Sequence, residues 1–567
     1  MASFLEQVDE KLAELFSGWN SYTIVIGLVI MAILVYPLLT WKEPDTHPLV
    51  LARQATASPV RQPGESAVYR SLETPYGYPL KTGLNVKDPG APRWSSGRNG
   101  DLRDIWRQAS GEVRSQQEEK PLPPGKILTV LGREDVIEHS HDEISKEVNI
   151  VGNQIQQHGG KRVGIYLPNS VEFLTTLFAS AFYGFEAILM PYNQPHEVVI
   201  DYLRKSNADC LLAEAGALPL EDVIKGAPSI RQAIWVVERT SRHMDWNQVP
   251  EGAGGKLEVA VWHDIVQDQQ SAAPTSLPDN KSGITPGNIV SIYQKAGGQE
   301  EIVEFTQENI VAAVGAIISA LPPRQRINPS DLFLPADSFS DTYCLAHTLA
   351  ALMSHSSVAI NSVAGPGVDL ALASRRIAPT IIVASAATAS KLHNTINPTV
   401  TGTLKQYSHY TQTQALTNGG HLPTSSFLTR LAAPQSPAIG TTPGKLRILF
   451  VAARTFSDAA PLSSSELSDL RVFTGARVIY ALTTARVFGA VTQTHLYDYR
   501  RDAGPGHAQS GTPLASLEVK VKDTATHKTT DEKIEGEIVV TGPSVQSGEA
   551  NLGMVGRFRD DNTLVLI

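Results

Sequence analysis

Lys161-Arg162-Val163-Gly164-Ile165-Tyr166-Leu167-Pro168-Asn169-Ser170, followed by Glu172-Phe173, is the stretch on which the fold turns. Arg162 to Leu167 is an apolar run of strand length, and Pro168-Asn169-Ser170 breaks it. Glu172 to Tyr183 has helical spacing, Ala187 to Met190 reads as a second strand, and His196 to Ser206 as a second helix. Strand–helix alternation with short connections predicts βαβ units and a mostly parallel sheet.

The pattern extends both ways. Upstream, 127–130 and 136–139 read as strands, and Asp142 to Gln157 as a helix stopped by Gly159-Gly160. Downstream, after a stretch of low periodicity near 240–285, strands are expected at 288–293, 331–335 and 380–384, with helices at 306–321 and 343–354. The Ser/Thr/Asn-rich sequence around 393–445 reads as irregular. Strands follow at 446–451 and 477–482, then at 517–522 and 536–541 in a more β-rich lobe.

Hydrophobic residues make up 42% of the 567, enough for a large core. A formal charge of −9 leaves no basic footprint for nucleic acid. Cys210 and Cys344 are far apart, form no metal or redox spacing, and fit a reducing compartment. Tyr22 to Leu39 carries no charge and is long enough to span a bilayer as a helix, with Tyr22, Tyr36 and Trp41 near its ends. Glu6, Asp9, Glu10 and Glu14 precede it, so it lacks the basic start of a cleaved signal peptide. Lys42, Arg53 and Arg61 outweigh Lys11 across it, which places the N-terminus in the lumen and the body in the cytosol. The endoplasmic reticulum is the expected membrane, with the mitochondrial outer membrane or peroxisome as alternatives. The resulting division is an amphipathic lumenal segment (1–20, with Phe4, Val8, Leu12, Leu15 and Phe16 at helical spacing), an anchor (21–41), a Pro/Gly-rich linker or surface segment (42–100), and a body in two parts (101–400 and 401–567).

An ordered series of segments resembles the adenylate-forming superfamily, the acyl-CoA synthetase type. Arg162 to Phe173 is similar to its "V-A-I-x-L-x-N-x-x-E-F" segment, and Tyr183-Gly184-Phe185-Glu186-Ala187 with Pro191 and Asn193 to the "G-A-x-x-x-P-x-N" that follows. Tyr480 to Thr484, Ser510-Gly511-Thr512-Pro513, Gly536 to Pro543 and Gly556-Arg557-Phe558 with Asp561 resemble later segments in the family's order. The resemblance covers roughly 100–567. It implies an α/β large domain with two βαβ-rich subdomains and a smaller β-rich lobe. It also implies ATP-dependent carboxylate activation, a Gly/Ser/Thr phosphate loop, Mg²⁺-binding carboxylates and a small C-terminal domain with a catalytic lysine. The sequence given ends at Ile567, before the place where that domain would begin.

Against that pattern the ATP residues are altered. The loop resembling Y-T-S-G-T-T-G-x-P-K-G reads Tyr293-Gln294-Lys295-Ala296-Gly297-Gly298-Gln299-Glu300-Glu301. Its hydroxyls are gone, and two carboxylates would repel a triphosphate by roughly several kcal/mol. Gly297-Gly298 reads as an ordinary turn. The adenine-side G-G-A-P is replaced by Val451-Ala452-Ala453-Arg454. Tyr480 and Thr483 remain as residual adenine-side positions, but Thr484 stands where the family has its magnesium glutamate, and Met554 where it has the ribose aspartate. Each such loss typically costs about 10²–10³ in rate.

Other groupings have plainer accounts. His139 and His141 lack a third metal ligand, Ser340-Asp341 ahead of His347 suits a helix cap below Asp337, and Ser463 to Glu466 suits another. No catalytic residue and no metal site are therefore assigned, and no cofactor is expected. The reading is a membrane-anchored pseudoenzyme of the acyl-CoA synthetase-like family, a scaffold or a lipid- or acyl-binding subunit, with membrane lipid and a protein as partners. The alternative is a divergent fatty-acyl-CoA ligase using ATP, Mg²⁺ and coenzyme A, completed by a partner chain.

Overall fold

The computed structural model describes residues 18, 20–40, 42–87, 90–92, 94–112, 122–131, 135–237, 257–279, 283–424, 429, 431–502 and 506–567. Most of the amphipathic segment expected at 1–20 lies outside them.

The opening stretch forms the strand Arg162–Tyr166 and the helix Val171–Tyr183. Ser170 caps that helix by accepting from the Phe173 amide, and Gly184, at φ 77°, ends it in the left-handed conformation that glycine tolerates. The strand lies at the centre of a seven-stranded sheet. Its order is Glu300–Phe305, Ile289–Gln294, Glu186–Leu189, Arg162–Tyr166, Cys210–Glu214, Gln232–Val236, Glu258–Val261. All neighbours are parallel except the first pair, an antiparallel hairpin in which Tyr293 faces Glu301.

A nine-stranded sheet forms the second layer. Its parallel centre runs Arg477–Thr483, Ile448–Arg454, Ile381–Ser385, Leu332–Pro335, Ser357–Asn361, Ile127–Leu131, and antiparallel strands close both edges. Helices Val171–Tyr183, Gln307–Ala320 and Thr342–Met353 are buried on nearly all faces. Their side chains join one core that holds Ile165 of the first sheet, Phe450 of the second and Val519 of the third. That third sheet is six-stranded and antiparallel, in the order Ala55–Ala57, Tyr69–Ser71, Glu518–Lys522, Glu535–Thr541, Glu549–Phe558, Leu564–Leu566. Residues 42–100 thus supply two strands to a sheet made otherwise from the far end of the chain.

Several elements differ from expectation. The stretch 393–445 contains a helix, Thr403–Thr417, which buries only Ser408, Thr413 and Leu416 and starts at Gly402 with no side-chain cap. So polar a helix has no apolar stripe to read. The low-periodicity stretch holds Glu258–Val261 and helix Trp262–Gln269, and the strand Ser357–Asn361 lay unread between two helices. Ser21–Thr40 is one uncharged helix whose side chains, described through Met31, are mostly exposed. Among the described residues no helix is long and apolar enough to cross a membrane, so the expected span over Tyr22–Leu39 is not confirmed.

Candidate functional site

Side chains and loops at the carboxyl ends of parallel strands face a common crevice, the usual ligand position in open α/β sheets. Here Ile448–Arg454 and Arg477–Thr483 end beside the turn of the Ile289–Gln294/Glu300–Phe305 hairpin. The Thr455 amide donates to the Thr483 carbonyl at 2.9 Å. The Tyr293 hydroxyl donates to the Thr455 carbonyl at 2.9 Å, which ties the hairpin to the end of the second sheet.

The structure brings most of the sequence-derived positions together here. Gln294 Nε2 donates to Gln194 Oε1 at 2.6 Å and to the Tyr202 hydroxyl at 3.2 Å. The Lys295 amide donates to the Gln299 carbonyl at 2.7 Å, and the Ala296 amide to the Phe456 carbonyl. Gly297 and Gly298 have φ of 75° and 77°, with nothing within 4 Å of where a Cβ would stand. Lys295 Nζ lies 2.8 Å from Glu301 Oε2, and Arg486 Nε 2.6 Å from Glu301 Oε1. Burial pushes the Glu301 carboxyl up, but the hydrogen bonds from Lys295 and Arg486 outweigh it and hold it below its ordinary value. Glu300 pairs with Lys205. A Cβ built at Gly553, next to Met554, would stand 3.5 Å from the Phe456 ring.

Tyr480 is not in the crevice. Its ring is 1% exposed in the core of the second sheet, and its hydroxyl accepts from the Leu462 amide at 3.0 Å. Thr483 and Thr484 are buried at the strand end, and Thr483 Oγ1 donates to the Ala453 carbonyl at 3.4 Å.

Sequence reasoning missed Arg454. Its guanidinium lies 4.5 Å over the Tyr293 ring and 3.5 Å from Asp341 Oδ2. A charged residue closing the otherwise apolar strand Ile448–Arg454 was the available signal. Below it, Asp341 caps helix Thr342–Met353 by accepting from the Tyr343 and Cys344 amides. Burial, and then the Asp341 charge, push the Asp337 carboxyl upward against the pull of Arg454. Burial also pushes His347 down to about 4; its Nδ1 donates to the Tyr343 carbonyl at 2.9 Å. Asp337 Oδ2, Tyr343 Oη and His347 Nε2 are buried without hydrogen-bond partners.

Ser140 caps helix His141–Gln157 with a capping box to Glu143, so the preceding strand ends at His139 and does not carry His141. Among the described residues no cluster of three or more His, Cys, Asp or Glu is placed to hold a metal ion.

Residues 298–548 match the AMP-binding enzyme family. No curated protein matches the chain. Among solved structures, the N-terminal domain of FACL13 from Mycobacterium tuberculosis aligns with TM-score 0.56 and 14% identity, over 82% of this chain and 99% of that one. VinN with L-aspartate aligns with TM-score 0.55 and 14% identity, over 86% and 99%. The anthranilate CoA ligase AuaEII with anthranoyl-AMP aligns with TM-score 0.55 and 16% identity, over 82% and 77%. At these identities the likeness is one of fold. Residues 298–548 thus carry an AMP-binding enzyme domain, and the chain around them has an acyl-CoA ligase-like α/β fold.

Proposed function

We propose that this chain is a membrane-anchored, non-adenylating member of the adenylate-forming superfamily, acting as a scaffold or a lipid- or acyl-binding subunit at the cytosolic face of an organelle membrane. One observation carries the reading: the leading amides and the lysine at the phosphate-loop position are already engaged by other groups of the protein. Phosphate loops work by turning free backbone N–H groups toward the polyphosphate. Here the Lys295 and Ala296 amides are already engaged by Gln299 and Phe456, and the Lys295 ammonium by Glu301. Thr484 brings no carboxylate to a magnesium ion, and Met554 none to a ribose. The residues present do not fit Mg-ATP. The uncharged helix Ser21–Thr40 supports the anchor, and the Lys and Arg bias at 42–61 supports the cytosolic body.

Isothermal titration of the detergent-solubilised full chain with Mg-ATP, together with pyrophosphate exchange in the presence of a long-chain fatty acid, tests the reading. No heat of binding and no exchange are expected. Tight binding with fatty-acid-dependent exchange would establish the ligase alternative instead.

A further inference from the structure

We propose that helix Thr403–Thr417 lies on the surface of the bilayer that holds Ser21–Thr40, pressing Leu404, Tyr407 and Tyr410 into the headgroup boundary of anionic lipid. This rests on the anchored reading above.

Three observations converge on it. The first is the helix itself. Leu404, Tyr407 and Tyr410 are 61%, 68% and 59% exposed. At intervals of three they share one face of the helix. The opposite face is fixed to the body: Ser408, Thr413 and Leu416 are buried, and His409 Nε2 lies 3.2 Å from Asp469 Oδ1. A lone exposed Leu is unremarkable. One Leu and two Tyr exposed on one face of an otherwise polar helix, with Lys405 on the same turn, are side chains that suit the headgroup level, where Tyr rings are favoured.

The second is the tether. Lys42 Nζ bonds Thr424 Oγ1 at 2.7 Å, and the Asp45 amide donates to the Gly420 carbonyl at 2.8 Å. The Asp45 carboxylate accepts from the Tyr499 hydroxyl at 2.7 Å and pairs with Arg477 at 3.2 Å. The chain leaving the membrane helix is therefore pinned to the loop that follows Thr403–Thr417. Only Trp41 separates Thr40 from Lys42, a reach of about 7 Å at most. That end of the body is held at the membrane surface. A contact made there is intramolecular, so a weak one is well populated.

The third is charge. The chain has 57 Asp and Glu, yet none occurs between Asp369 and Asp458, a stretch with eight Lys and Arg. Helix Thr403–Thr417, pinned beside the anchor's exit, therefore carries no carboxylate, and Lys405 is its one Lys or Arg. The cytosolic leaflet is anionic and attracts such a segment.

The test uses the full chain in phosphatidylcholine–phosphatidylserine vesicles. Tyr407→Cys is labelled with an environment-sensitive maleimide, since Cys210 and Cys344 are buried. Lys225→Cys, at a side chain 75% exposed on another helix, is the control. Nitroxide lipid is the quencher, and alkaline extraction of the same vesicles reads the anchor separately. Retention in the alkali-washed membrane with several-fold stronger quenching at 407 than at 225, weakened in pure phosphatidylcholine, is expected. Retention with equal quenching at both sites overturns the docked helix and leaves the anchor standing. Release by alkali overturns the anchor, and the docked helix with it.

Discussion

Glu301 bridges Lys295 and Arg486 across the hairpin turn, with one carboxylate oxygen 2.8 Å from the lysine and the other 2.6 Å from the arginine. Both pairs are partly exposed, so Glu301→Gln should cost only about 0.5–1 kcal/mol in urea unfolding. Its larger effect should be electrostatic. Two cations would be left beside the open Gly297–Gly298 turn, and weak pyrophosphate binding should appear by calorimetry in the variant alone. A variant that binds no anion would show that the ion pairs are not what closes this turn to phosphate.

Arg454 is the cation facing two buried carboxylates, Asp337 and Asp341. Arg454→Met leaves them without it, and removing one partner of a buried pair costs about 3–5 kcal/mol. Arg454→Lys keeps the charge but loses the planar contact with Tyr293, so a smaller loss is expected. Urea midpoints of the three proteins order the effect; equal midpoints would mean that Asp337 is already neutral and needs no cation.

Two histidines should make stability respond to pH in opposite directions. Burial lowers His347 from 6.5 to about 4. Between those values the unfolded chain binds a proton that the folded chain refuses, so stability falls as pH drops from 6.5 toward 4, by roughly 3 kcal/mol in all. His393 is raised, chiefly by its hydrogen bond to Asp469 at 3.1 Å. Its contribution is complete below pH 6.5 and is lost as pH rises through its folded value. Urea unfolding at a series of pH values should lose the acid-side slope in His347→Gln and the neutral-to-alkaline one in Asp469→Asn.

Gly511 has φ of 86°, and a Cβ there would stand 1.9 Å from the Gln493 carbonyl oxygen. Backbone cannot swing aside as a side chain can. Gly511→Ala should cost at least about 2 kcal/mol and reduce soluble yield. Gly297→Ala, at a similar φ but in open space, is the comparison and should cost less.

Burial raises the thiols of Cys210 and Cys344 above the ordinary range. Neither should react with Ellman's reagent in the native protein, and both should react in guanidinium. Fast modification of one native thiol would mark local opening of its strand or helix.

The central βαβ units were legible because each signal was local. Val163 and Ile165 alternate with the turn at Pro168, Ser170 caps, and Gly184 stops. Glu300–Phe305 was not legible: it is an edge strand whose Val303 and Phe305 alone are buried, and its glutamates read as loop. The resemblance pointed to the loop and to Thr484 and Met554 by position. It could not show that the loop amides were engaged, because no spacing relates residue 296 to 456 or residue 301 to 486. Arg454 escaped for the same reason, since its partners Tyr293 and Asp341 lie on other elements. Ala55–Ala57 and Tyr69–Ser71 are too short to announce themselves.

Those two short strands bear on how the protein is made. Arg70 pairs with Glu518 across 448 residues of sequence. At about 5–20 residues per second, roughly 20 to 90 seconds of translation separate them. If Ser21–Thr40 enters the bilayer as it emerges, this strand pair waits beside the membrane with an unsatisfied edge until the last part of the chain arrives. The protein is finished by joining the beginning of its message to the end, and a holdase working at the translocation site should raise its yield more than one acting after release.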